Sequence, residues 1–539
     1  VISNQTLEAM ESTDMIITLG PEIDADGDSI QYSTTDSMNT ALGSQSNQVM
    51  YNRATLGVET LQVTASDNKN DDVTATINIT TSPSSPSNYV TSKDIISPIY
   101  GDVPVKGESR IDPSTGVRVT RMTDVTELDG TDDALIVYSR YTPESTDGKF
   151  FLVFGTNSAT CWLIERATGD VIVKLTVESG GTLGELSEIR WDLSGNDPHR
   201  LYYRDGMKFS HLDIASTTDP DTDEISYEFN HTLIKDFTSF SPNSTLIYND
   251  VEGDSSNDSD HWAWMAAHYD HDSGQFLVDA YVHYQISTNK THVMVPADLA
   301  GSNLDAEKDK ATFTHRPNMV EVSPLGNGIV IHHGRKWDDT EYGGDGADWM
   351  STWYDGAYLW PLDFDYTTQA PVRISIGASH AGWSYDTTGR EMFVSQNNRT
   401  DKLDAIYVEG AASGYDNRIE IADHGDFGWS NGFHYGKLPL SKKGWAFVNT
   451  YSHTGHSDHA SDWGADQLIM IQVKPESETP KVWRIAPSYN MFAGEYRDEA
   501  IAAINAQGNR IYITSNWGGA LSNREVFLFE LPTNWDSVL

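Results

Sequence analysis

The 539-residue chain has a single cysteine, Cys161, so no disulfide can form within it. No run of 18 apolar residues occurs, so no helical segment is suited to cross a membrane. Basic residues are scarce: 36 Lys and Arg stand against 79 Asp and Glu, a formal net charge of −43. With no basic excess to neutralise phosphates, nucleic acid is excluded as a partner. An anionic polysaccharide is not excluded, because a few Arg and His can overcome the global field inside a cleft. No secretory leader is read at the start, and the abrupt beginning at Val1 is what a trimmed protein, secreted to the periplasm or outside the cell, would show. Helical periodicity is almost absent. No G-x-S-x-G, Walker A or G-x-G-x-x-G stands in the strand–turn–helix context that an α/β-hydrolase, a P-loop or a Rossmann fold requires. Aromatic residues, by contrast, are abundant, with 15 Trp and 25 Tyr.

One phrase returns seven times after residue 135: apolar residues, a Ser, Thr, Asp or Asn that starts a turn, then Gly or Asn, then an alternating apolar strand. Aligned turn starters are Thr142, Asp192, Ser241, Ser323, Ser384, Ser441 and Asn505, spaced by 50, 49, 82, 61, 57 and 64 residues. Repeats of this size that each read as strand–turn–strand predict an all-β fold, a seven-bladed β-propeller. The hairpin at 109–124 opens it. The last strand, 525–532, is expected to close the ring by pairing with a strand from the other end of the chain, which removes an exposed sheet edge.

Residues 1–80 read as a separate β-sandwich, 81–94 as a Ser/Pro linker and 95–539 as the propeller. The turn DADGDS places Asp24, Asp26 and Asp28 at alternate positions. The stretch resembles the cadherin-like or Ig-like modules of secreted bacterial proteins, which implies a calcium site; a solvated acidic turn is the alternative, and the Glu that completes an EF-hand loop is missing. No organic cofactor is expected.

Three segments break the rhythm: 254–272, 335–360 and 451–466, all rich in Trp, Tyr, His and Asp. Aromatic faces beside Asp and Asn suit sugar rings, which present an apolar C–H face and a belt of hydroxyls. Trp337 and Trp349 in the second loop, and Trp517 near the end of the chain, are candidate platforms. Where a strand ends at the start of the second of these segments, His332–Lys336 is one of few locally basic spots, where His333 and Arg335 could hold a carboxylate or sulfate; strand histidines alternating in and out are the plain alternative. His453, His456 and His459 are a candidate divalent-metal set, although Gly455 argues against the helix that would place them on one face.

Residues four to seven positions before each turn starter should gather at one mouth of the channel. That register holds Glu185 and Glu188, Arg316 and Asn318, His380, His434 and Tyr435, and Asp498 and Glu499, with Tyr496 and Arg497 beside the last pair. Apolar Phe237 and Met319 stand there in blades read as structural. Two chemistries fit the set. In β-elimination of a uronate, Arg316 neutralises the carboxylate while His380, His434 or Tyr435 move protons. In glycoside hydrolysis, Glu188 and Glu499 are the carboxylate pair. Buried ion pairs that merely satisfy strand ends are the third reading.

The phrases WSYDTTGREMFVS, SPLGNGIVI and RDEAIAAINAQGNRIYITSNWGG…EVFLFELP resemble the propellers of oligogalacturonate lyases and related secreted bacterial proteins over residues 95–535. Ulvan lyases also use seven-bladed propellers with His, Tyr and Arg at the channel mouth. The resemblance implies that Arg316, His380 and His434 occupy working positions. His315 and His333 approximate the spacing of the two channel histidines of ulvan lyases, without the local motif; the His and Gln metal set of oligogalacturonate lyases is not evident. The expectation is therefore a monomeric secreted lyase of an anionic, marine polysaccharide, with a hydrolase or a non-catalytic binding propeller as alternatives.

Overall fold

The computed structural model describes residues 5–10, 15–18, 31–35, 48–51, 57–66, 73–82, 89–96, 98–156, 158–219, 221–222, 224–241, 243–272, 275–295, 317–333, 356–365, 368–375, 380–397, 400–410, 413–452, 462–473 and 479–538. The chain divides into two compact units. One comprises residues 1–88 with 116–118 and 530–539; the other comprises 89–115 and 119–529.

In the first unit, Gln5–Met10, Val73–Ser82, Gly57–Ser66 and Gln31–Thr35 form a four-stranded sheet in that order, and Met15–Thr18 pairs with Gln48–Tyr51. Alternate residues Leu61, Val63, Ala75, Ile77 and Ile79 are buried, as a sheet with one covered face requires. Asp24, Asp26 and Asp28 lie outside the described residues.

The second unit is nearly all β and folds as a seven-bladed propeller. Its sheets, named by their first strands, begin with Phe150–Phe154 (blade one), Arg190–Trp191, Leu246–Tyr248, Met319–Val322, Ala381–Tyr385, Asn431–Tyr435 and Ala502–Ile504 (blade seven). Blade one has three regular strands, with bridges from Leu135 to Phe154 and from Glu144 to Phe151 along its inner edge. Blade seven is completed from the other end of the chain: Glu525–Glu530 is followed in the sheet by Arg118–Arg121 and Ser109–Ile111. The ring closes there, as expected. Glu525 clamps the seam, accepting from Arg121 Nη2 (2.8 Å), Thr123 Oγ1 (2.6 Å) and Val125 N (3.0 Å).

The blades pack face to face through continuous apolar strands such as Phe150–Phe154 and Cys161–Glu165. The Cys161 thiol is buried there, and burial pushes its pKa up, so it behaves as a core residue. Trp191 Nε1 donates to Pro143 O (3.2 Å), joining blades one and two.

The repeat is real, but three of its copies sit elsewhere in the chain than the sequence phrase suggests. In the folded protein the turn between the first two strands of each blade begins at Ser145, Asp192, Ser256, Ser323, Asp386, Ser441 and Asn505. The third residue after each starter has positive φ: Gly148 72°, Gly195 75°, Ser259 55°, Gly326 71°, Gly389 95°, Gly444 85° and Gly508 70°. Glycine takes this left-handed conformation without steric cost, which explains six of the seven. The starter's side chain caps the turn, as when Asp386 Oδ1 accepts from Thr388 N (2.8 Å) and Arg390 N (3.0 Å). Thr142, Ser241 and Ser384 are therefore not turn starters. The segment 254–272 is no insertion either: it contains the third blade's turn and its second strand, His261–Asp270, in which Trp262 and Trp264 are buried.

Candidate functional site

Counting back four to seven residues from the corrected starters adds Tyr138–Tyr141 of blade one and Asn249–Glu252 of blade three to the expected register. It removes Phe237, which packs in the core with Trp264 and Tyr284. Several of these groups come together. Arg140 Nη2 is paired with Glu321 Oε1. Glu321 also accepts from Trp383 Nε1 (3.0 Å), and His332 Nε2 lies 3.5 Å from it. The field of Arg140 further reaches Tyr138, Glu252 and His380. Side chains from blades one, three, four and five thus share one electrostatic neighbourhood.

Blades five, six and seven meet in a second cluster continuous with the first. His434, 0% exposed, stacks with His380 (centroids 4.8 Å apart) and with Tyr451 (4.6 Å). Tyr138 stands edge-on to it, with its hydroxyl 3.3 Å from His434 Nδ1. Glu499 Oε2 lies 3.4 Å from His434 Nε2. Tyr496 lies within electrostatic reach of Tyr138 and is 52% exposed.

The environments set the charges. Burial favours the neutral form of Glu321, but Arg140, His332 and Trp383 outweigh it and hold the carboxyl at about 2. Burial pushes Glu252 the other way, to about 8; Arg140 offsets part of this, while Asp250, Glu321 and Glu185 add to it. Glu252 is therefore a neutral acid at pH 7. Burial, reinforced by His434, lowers His380 to about 3, and burial lowers His332 to about 4. Arg140 is 2% exposed, and its Nε and Nη1 have no partner among the described residues; neither has Glu252 Oε2. A buried guanidinium with two unpartnered donors thus shares its electrostatic neighbourhood with a protonated carboxyl.

Other expected residues have structural work. Glu188 is buried, accepts from Asn249 N (2.7 Å) and Val251 N (3.2 Å), and lies 3.4 Å from Arg204. It anchors the chain leaving the first strand of blade three, so the expected Glu188–Glu499 hydrolytic pair loses its first member. Tyr435 points into the core with Phe433 and Val448, because alternate strand residues face opposite sides and His434 takes the other. Trp517 is 0% exposed, stacked on Tyr489 (4.5 Å) and Phe527 (4.8 Å), and is no sugar platform. Asp498 binds Arg524 (2.7 Å). Arg497 bridges Glu185 (3.1 Å) and Ser158 (2.6 Å) at the rim. Asn318 is exposed, its N–H donating to His332 O (2.8 Å). His333 ends its strand. His315, Arg316, Arg335, Trp337, Trp349, His453, His456 and His459 lie outside the described residues. Among the described residues no three His, Cys, Asp or Glu side chains converge as a metal site would need.

No family model matches the chain, and no curated protein matches it. Among solved structures, it is similar to an oligogalacturonate lyase from Vibrio parahaemolyticus, with 11% identity, a TM-score of 0.45 and coverage of 79% of this chain and 99% of that one. It is also similar to the Cps50 (Swd1) β-propeller domain of Myceliophteria thermophila (10%, TM-score 0.37, 75% and 99%). A third similar structure is the PQQ-bound aldose sugar dehydrogenase of Streptomyces coelicolor (12%, TM-score 0.28, 76% and 97%). Likenesses this distant do not distinguish one propeller activity from another.

Proposed function

We propose that the protein degrades an anionic, uronic-acid-containing polysaccharide by β-elimination. The observation that carries this reading is the half-buried, neutral imidazole of His380, its Nδ1 held by Phe433 O, within the field of buried Arg140. The positive field of Arg140, acting from inside the ring, and the protonated state of Glu252 favour the uronate carboxylate and the enolate formed when the C5 proton leaves. His380 donates Nδ1–H to Phe433 O (2.6 Å), so Nε2 carries the lone pair that takes that proton. The C5–H electrons form the C4=C5 double bond, the C4–O bond breaks, and the leaving oxygen takes a proton from Tyr496. A base as weak as His380 removes only a strongly acidified proton, which makes neutralisation of the carboxylate essential to the step.

A panel of uronate polymers tests the reading. The expected result is the ultraviolet absorbance of an unsaturated uronate at the new chain end. New reducing ends without that absorbance mean hydrolysis. Binding with neither product means a non-catalytic propeller. Either outcome overturns the proposal.

A further inference from the structure

We infer that Trp429 is a sugar-stacking platform at the mouth of the ring, and that a polysaccharide chain lies across this mouth and not along the axis. The inference rests on the elimination reading for the chemistry of the chain, and binding alone tests it.

Contacts between blades that are not neighbours close the axis at two levels. Arg140 of blade one pairs with Glu321, within the inner strand of blade four. Lys437, two residues beyond the inner strand of blade six, donates to Asp254 Oδ2 (3.1 Å) and Ser255 O (3.2 Å) of blade three. Two blades separate three from six on the shorter way round, so this pair crosses the ring. Lys437 and Asp254 both follow their inner strands, which places them at the end of the axis away from His380, His434 and Glu499. All four ionic partners are at most 10% exposed. A sugar chain does not pass between groups in direct contact across the axis, so it is bound from the mouth.

That face carries the two most exposed aromatic side chains among the described residues, Trp429 at 67% and Tyr496 at 52%. They stand in the connections that enter the inner strands of neighbouring blades six and seven. Trp429 is propped in place. Its indole packs on the His424 ring (centroids 5.3 Å apart). A Cβ at Gly425 would come within 3.0 Å of its Cζ2, so glycine there lets the indole lie close on the helical turn His424–Phe427. His424 packs edge-on against Phe433 (4.9 Å), whose carbonyl holds His380 Nδ1 (2.6 Å). Successive contacts thus tie the platform to the proposed base. The chain from Trp429 to Phe433 spans at most about 13 Å, so the platform serves sugars close to the one that reacts. An indole that served the core would be covered, as Trp463 is against Phe427 of the same turn. An exposed, already ordered aromatic face suits the apolar C–H face of a pyranose, because little side-chain freedom is lost on binding.

The test is calorimetric titration with polygalacturonate and with a neutral glucan, using full-length protein that carries His380→Ala so that no substrate is consumed. Added Trp429→Ala should weaken polygalacturonate binding roughly 10-fold, the size of one aromatic contact. Trp429→Phe should keep most of the affinity and Trp429→Leu should not, which separates the ring face from bulk and from any loss of folding in the alanine variant. Equal affinity in the leucine variant and its parent overturns the platform. Polygalacturonate anchored to beads at both ends should bind as the free polymer does, since no end has to enter the ring; binding lost on anchoring overturns the crossing geometry. If the parent binds only the neutral glucan, with the same dependence on Trp429, the platform stands and the elimination reading fails. If it binds neither polymer, the platform falls.

Discussion

The Nδ1 of His380 lies 2.6 Å from the carbonyl oxygen of Phe433, a backbone acceptor that fixes both the ring's orientation and its tautomer. A carbonyl can only accept, so Nδ1 keeps the hydrogen and Nε2 keeps the lone pair. Under the elimination reading the base is therefore set by the fold of the neighbouring blade. His380→Ala should lower kcat for uronate elimination by roughly 100- to 10,000-fold, the usual worth of a positioned base. Because the ring titrates at about 3, no rate limb from His380 should appear between pH 5 and 8. Steady-state kinetics across that range check both statements.

Arg140 pairs with Glu321 through Nη2, and under the elimination reading its field also steadies the substrate carboxylate. Removing it leaves Glu321 charged and buried, so Arg140→Ala should cost about 3–5 kcal/mol of stability as well as activity. Arg140→Ala combined with Glu321→Gln removes both charges and should recover much of that stability without recovering uronate binding. Denaturant unfolding and calorimetric titration with a uronate oligomer separate the two effects. Equal instability in the single and double variants would show that the pair is not the stabilising link.

Under the elimination reading Glu252 is expected to give the site a pH dependence. Its pKa in the folded protein, about 8, lies above its ordinary value of 4.5. The folded state therefore holds a proton that the unfolded state has lost between those values. Its contribution to stability is greatest below 4.5 and falls as pH rises to 8, by roughly 1.4 kcal/mol per unit for an ideal group. Glu252→Gln should thus raise the melting temperature at pH 9 relative to wild type more than at pH 4. In activity, ionised Glu252 repels the substrate carboxylate, so kcat/KM should fall above pH 8 in wild type and not in Glu252→Gln. A falling limb that persists in the variant would assign it to another group.

The fold was legible because turn chemistry repeats: Asp192, Ser323 and Asn505 each cap a hairpin whose third following residue is Gly. Blade three hid its turn because Ser259 takes the left-handed position that glycine fills elsewhere. The Ser-Pro at Ser241 drew the alignment to the wrong end of its strand. That displacement concealed Glu252, four residues before Ser256, and the smaller error at Thr142 concealed Arg140. His434 and Glu499 were found because their starters were right, and His380 because moving its starter from Ser384 to Asp386 still leaves it four to seven residues before the turn. Tyr435 was misplaced for a different reason: offset from a turn locates a strand position, but the period of two decides which side chain faces the channel. Trp517 was misread because an aromatic beside Gly-Gly reads as exposed until its stacking partners, Tyr489 and Phe527, are brought in from distant segments.

Ring closure yields the last expectation. Glu144 of blade one, fully buried, accepts from Arg510 Nε (2.9 Å) and Nη2 (2.6 Å) and from Tyr512 Oη (2.6 Å), all in blade seven. Burial disfavours its charge, but Arg510 and Tyr512 outweigh burial and hold its pKa below the ordinary 4.5. A lowered carboxyl stabilises the fold above pH 4.5, and the contribution is lost as pH falls through the folded value. Glu144→Gln should therefore melt lower than wild type at pH 7, and the difference should shrink as pH drops below 4.5. Glu144→Ala should cost about 3–5 kcal/mol at pH 7, since it strands Arg510 without its partner. Melting curves of the three proteins at pH 7 and pH 3 decide it; a gap between wild type and Glu144→Gln that does not narrow in acid would mean that the carboxylate's charge is not what binds blade one to blade seven.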